Sequence, residues 1–82
     1  MNVSVPNYFT GSAGFTISVS GAPGTTAEVI VTGEGCSVRL TISLDANGDG
    51  SAFLRARCLG DFLFVLVRDN AGNVRNTATA AI

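Results

Sequence analysis

Six apolar residues follow one another without interruption from Phe62 to Val67. The run is too short for a buried helix, and its β-branched and aromatic side chains point to a strand. A strand sends successive side chains to opposite faces, so Leu63, Val65 and Val67 share one side and Phe62, Phe64 and Leu66 the other. One set fills a core. The other must be covered a second time or stand in water.

The remaining segments alternate more simply. Phe15, Ile17 and Val19 alternate with Thr16, Ser18 and Ser20; Ala27, Val29 and Val31 alternate with Glu28, Ile30 and Thr32; Val38, Leu40, Ile42 and Leu44 alternate with Arg39, Thr41 and Ser43. Glycine-centred turns recur about every ten residues, and good helix formers are scarce. The pattern predicts strands at 3–5 (stopped by Pro6), 15–20, 26–32, 37–44, 52–57, 62–68 and 74–82. Seven short strands are the number of an antiparallel β-sandwich.

Asp45-Ala46-Asn47-Gly48-Asp49-Gly50 raises the question of calcium, because Asp45, Asn47 and Asp49 with a following glycine match the first half of an EF-hand loop. The twelfth position of such a loop needs a bidentate glutamate and here is Ala56. No helix flanks the segment, and Asn-Gly followed by Asp-Gly is the strongest local signal for a hairpin. A plain turn is the reading, and no metal or other cofactor is expected.

Composition narrows the function. Charged residues make up 13% of the chain and hydrophobic ones 46%, leaving a surface poor in charge for so small a domain. The formal net charge is −1, lysine is missing, and the arginines are scattered, so no clustered basic face exists to neutralise phosphates and nucleic-acid binding is not expected. No run approaches the length of a membrane helix, and no basic-then-apolar leader follows Met1. Without histidine or lysine, and without paired carboxylates, the sequence offers no catalytic base, and the chain is not expected to be an enzyme. Synthesis in a reducing cytosol would leave Cys36 and Cys58 as thiols rather than a bridge; a bridge, if formed, would close a loop of roughly 20 residues and contribute about 3 kcal/mol.

Three turn motifs carry a family likeness. Arg68-Asp69-Asn70-Ala71-Gly72-Asn73-Val74 resembles the D-x-A-G-N hairpin of bacterial and phage immunoglobulin-like (Big-type) domains. Gly21-Ala22-Pro23-Gly24-Thr25-Thr26 is similar to their entry into the third strand, and Leu44-Asp45-Ala46-Asn47-Gly48 to their middle turn. The resemblance implies a seven-stranded antiparallel immunoglobulin-like β-sandwich over 14–82, preceded at 1–13 by an N-terminal arm or first edge strand. The family spacing, counted back from Asp69, places Leu63, Val65 and Val67 inward; a one-residue deletion would exchange the two sets, since a slip of one inverts every side chain. Asp61 stands where the family carries a tyrosine, which leaves both registers open.

Such domains serve as adhesin repeats, spacers, carbohydrate-contacting modules and additions to phage tails and capsids. The resemblance implies no enzyme, and a single copy that starts at Met1 without a secretion signal leads to the expectation of a virion protein, made in the host cytoplasm, that binds another capsid or tail subunit; self-association is a further expectation. The alternative is a carbohydrate- or surface-binding adhesin module cut from a larger bacterial protein. Two sets of residues are candidates for the partner surface. The first is the surplus stripe Phe62, Phe64 and Leu66, which Phe53 would widen if its strand were adjacent. The second is the N-terminal segment with Val3, Val5, Tyr8 and Phe9 as apolar anchors. The competing reading covers the stripe with a neighbouring loop or with the N-terminal segment, Tyr8 and Phe9 included.

Overall fold

The computed structural model describes residues 1–9, 14–55 and 60–81. Among them there is no helix. The described residues form eight strands: β1 (Asn2–Ser4), β2 (Tyr8–Phe9), β3 (Phe15–Ser20), β4 (Thr26–Thr32), β5 (Ser37–Ser43), β6 (Asp49–Leu54), β7 (Phe62–Asp69) and β8 (Val74–Ala81). They form a three-stranded sheet in the order β1-β3-β6 and a five-stranded sheet in the order β2-β8-β7-β4-β5. The expected ends of two strands, Ala56-Arg57 and Ile82, lie outside the described residues, as does Cys58.

The seven antiparallel strands of the sequence reading thus become eight in which one pair is parallel. The additional strand is β2, whose Tyr8 and Phe9 lie beside Ala80 and Ala81 and run in the same direction as β8. Pro6 explains the break. Lacking an N–H, it cannot continue β1 along β3, and the chain crosses to the other sheet, where the Asn7 carbonyl accepts the Ala80 N–H at 3.2 Å.

The core lies between the sheets and is built from the alternating residues of each strand. Ile17 on β3, Val29 and Val31 on β4, and Leu63, Val65 and Val67 on β7 are fully buried. This settles the register of β7: the set expected inward from the family spacing faces the core. At about 0.8 kcal/mol per buried CH₂, these side chains supply much of the drive to fold.

Two connections share one local design. In each, an aspartate opens the turn, its Oδ1 accepts the N–H groups two and four residues on, and a glycine at positive φ is the fourth residue. Asp45 Oδ1 accepts from Asn47 at 2.8 Å and Asp49 at 3.0 Å, with Gly48 at φ 84°. Asp69 Oδ1 accepts from Ala71 at 3.0 Å and Asn73 at 2.8 Å, with Gly72 at φ 87°. The aspartate side chain thus satisfies donors that the turn would otherwise leave to water. The second copy of the design closes the β7–β8 hairpin. The first does not make the hairpin that its sequence signals, because β5 and β6 belong to different sheets; it reverses the chain while carrying it across the sandwich. Strand β6 also begins earlier than expected, with Asp49 and Gly50 already paired to Ser20 and Val19.

Cys36, just before β5, is disulfide-bonded. The expectation of reduced thiols is therefore overturned at this position.

Candidate functional site

The outer side of the five-stranded sheet is where the surplus of β7 ends up. Phe62, Phe64 and Leu66 point away from the core, and their neighbours follow from register: Ala80 beside Phe62, Ala78 and Thr32 beside Phe64, Ile30 and Asn76 beside Leu66. Tyr8 on β2 pairs with Ala80 and so joins the same side. The small side chains of Ala78 and Ala80 leave the neighbouring rings standing proud. Phe62 and Phe64 meet edge to face, centroids 5.0 Å apart and planes at 71°, a favoured geometry for aromatic pairs.

These rings are exposed. Tyr8 retains 64% of its accessible surface, Phe62 45% and Phe64 60%, with Leu66 and Ile30 half-buried between strands. Taking about 200 Å² for a whole aromatic side chain, the three rings leave roughly 340 Å² on one side. That is as large as the largest apolar patch of a typical monomer, which is often functional. One end of the patch is bounded by charge, where Arg68 Nη2 donates to Glu28 Oε1 at 2.8 Å. This half-exposed pair contributes little to stability, but it gives the patch the polar rim of a contact surface.

The other candidates fall elsewhere. Phe9 is buried, its ring 5.4 Å from that of Phe15, and Val3 and Val5 are half-buried against the same core. Phe9 is thus used within the chain and Val3 and Val5 partly so; of the four residues named in the N-terminal segment, Tyr8 alone is exposed. Among the described residues of that segment none covers the stripe, since β2 extends the sheet sideways. Phe53 is 58% exposed but sits on β6, beside Thr16 in the other sheet, and cannot widen the patch. The sequence carried no signal for that, because adjacency in sequence was the only ground for pairing β6 with β7.

Apart from Phe53, the opposite face is polar. A shallow groove of about 450 Å³ crosses the three-stranded sheet and is lined by Asn2, Ser4, Ser18, Ser20, Asp49 and Ser51 among others. Asp45 stands at its end with its carboxyl held below the ordinary value of 3.8, chiefly by the Asp49 N–H and then by that of Asn47. With two N–H donors aimed at Oδ1, that oxygen serves the turn. Among the described residues no group of three His, Cys, Asp or Glu side chains is placed to hold a metal ion. No protein-family model matches the chain, and no curated protein matches it.

Proposed function

We propose that this chain is a non-enzymatic immunoglobulin-like binding module that docks on another protein through Tyr8, Phe62, Phe64 and Leu66. The observation that carries the proposal is the contiguous aromatic patch on the outer side of the five-stranded sheet. Aromatic residues are enriched at protein contacts, and a few buried residues carry most of the binding energy there. The immunoglobulin-like reading is supported by topology: lettered in chain order as A, A′, B, C, C′, E, F and G, the sheets read A-B-E and A′-G-F-C-C′, a two-sheet sandwich with C′ added to the G-F-C sheet. The turn motifs, which resemble those of bacterial and phage domains, are compatible with a virion subunit as the partner, with the chain acting as a capsid decoration or accessory tail protein.

The test is co-sedimentation of the purified chain with particles assembled from a genome lacking its coding region. Stoichiometric binding by the wild type and loss of binding by Phe64→Asp support the proposal. Equal binding by both chains refutes the docking face, and binding by neither refutes the virion partner.

The groove on the three-stranded sheet favours a second reading, a carbohydrate-binding adhesin module, because serine hydroxyls, an asparagine and carboxylates are the groups that meet sugar hydroxyls. Titration calorimetry against surface glycans distinguishes the two: heat that Ser18→Val removes and Phe64→Asp leaves intact would favour the sugar.

A further inference from the structure

The five-stranded sheet ends at β5, and among the described residues no strand pairs with its outer side. Seven residues lie there in one-to-one register with β4 and without a bulge. Exposed edges of that length are usually blunted by charged side chains, proline or a bulge; Ser37–Ser43 contains no proline and a single charge, Arg39. The inner row of the strand is unfinished as well. Ile42 is buried, whereas Val38 and Leu40 remain half-exposed, since a three-stranded sheet does not roof a five-stranded one to its edge.

The Gly33 N–H donates to the Cys36 carbonyl at 3.0 Å. Alternation from that pair turns the backbone groups of Val38, Leu40 and Ile42 toward β4 and those of Ser37, Arg39, Thr41 and Ser43 outward. The strand reads Ser-Val-Arg-Leu-Thr-Ile-Ser, which has nearly the same chemistry in both directions.

We propose that this edge pairs antiparallel with the same edge of a second copy, about a two-fold axis through Leu40. Leu40 then faces its twin, Val38 faces Ile42, Ser37 faces Ser43 and Arg39 faces Thr41. The outward groups of Arg39 and Thr41 supply about four backbone hydrogen bonds across the axis, and each copy covers the half-exposed Val38 and Leu40 of the other. The neighbouring registers are worse. An axis through Arg39 sets two guanidinium groups directly opposite, which is destabilising. An axis through Thr41 relies on Ser43, where β6 crowds the edge so closely that a Cβ on Gly50 would lie 2.5 Å from the Ser43 carbonyl oxygen. The joined sheet presents both aromatic faces on the same side. The proposal does not rest on what those faces bind.

Sedimentation velocity over a concentration series tests it with the full chain. Thr41 is exposed and lies beside Glu28 of its own chain. Thr41→Arg gains Glu28 as a partner and stays folded, yet sets two arginine pairs across the axis; the dissociation constant is expected to rise about tenfold. Thr41→Glu makes two pairs with Arg39 of the other copy and is expected to lower it about tenfold, an effect that fades at high salt. Phe64→Asp should leave the dimer unchanged, which separates this interface from the docking face. A wild type that stays monomeric at the highest concentration reached overturns the proposal. So does a dimer that Phe64→Asp abolishes, or one whose constant the two Thr41 variants do not move in opposite directions.

Discussion

Thr79 sits on β8 with its side chain in the core, 2% exposed, and its Oγ1 has no hydrogen-bond partner among the described residues. Its register neighbour Leu63 is fully buried, so water has no access from that side. A buried hydroxyl without a bond costs about 1–3 kcal/mol, and a methyl in its place adds close to 0.8 kcal/mol of burial. Thr79→Val keeps the β-branched shape, and a net gain of about 1–2 kcal/mol is the conservative expectation, since strain and denatured-state effects take back part of the sum. For a domain of this size that corresponds to a rise in Tm of roughly 5–15 °C. The assay is urea unfolding followed by circular dichroism, with an unchanged m-value showing that the same surface is exposed. Thr79→Ser is the control: it keeps the hydroxyl, loses the methyl and should destabilise by about 1 kcal/mol. A Thr79→Val chain no more stable than wild type would refute the reasoning, because the hydroxyl would then have a partner whose loss offsets the gain.

Other perturbations follow from the turns and the cysteine. The Asp69 carboxyl is held below its ordinary value of 3.8, chiefly by the Asn73 side-chain amide and then by the backbone N–H groups of Asn73 and Ala71, and Asp45 is held low in the same manner. A lowered folded pKa contributes stability that is fully present above the unfolded value and is lost as pH falls through the folded one. Melting temperature should therefore decline below about pH 4, and less steeply in an Asp45→Ala, Asp69→Ala double variant. Gly72→Ala meets open space but forces a Cβ into φ 87°, costing about 1 kcal/mol. Gly50→Ala drives a Cβ to 2.5 Å from the Ser43 carbonyl oxygen and 2.6 Å from an Ile42 methyl, so thermal melts should rank it the more damaging. Reducing the disulfide at Cys36 should lower unfolding free energy by about 2–4 kcal/mol.

Strands in which apolar and polar residues strictly alternate were legible in the sequence. The bounds of β3 and β4 agree with it, since periodicity fixes an element over six or seven residues. For β7 the spacing to the Asp69 turn named the inward set as one of two registers, and the buried Leu63, Val65 and Val67 decide between them. What failed was whatever depends on partners distant in sequence. A two-residue strand such as β2 has no period to read. Gly50 looked like part of a turn, although Asp45 and Asp49 already close the loop and the glycine is required by the approach of Ser43 to β6. Val3, Val5 and Phe9 read alike in the sequence whether they face a partner or a core, and it is the crossing at Pro6 that brings Phe9 into the core. The crossing between sheets after β5 likewise misplaced Phe53.

The central claim is that β7 serves two faces, one essential to the fold and one free for a partner. Comparing Val65→Asp with Phe64→Asp by chemical denaturation tests it most directly. Asp at position 65 buries an unpaired carboxylate and should leave no cooperative unfolding transition, whereas Asp at position 64 lies in water and should unfold within about 1 kcal/mol of wild type. Loss of folding in Phe64→Asp comparable to that in Val65→Asp would contradict the account.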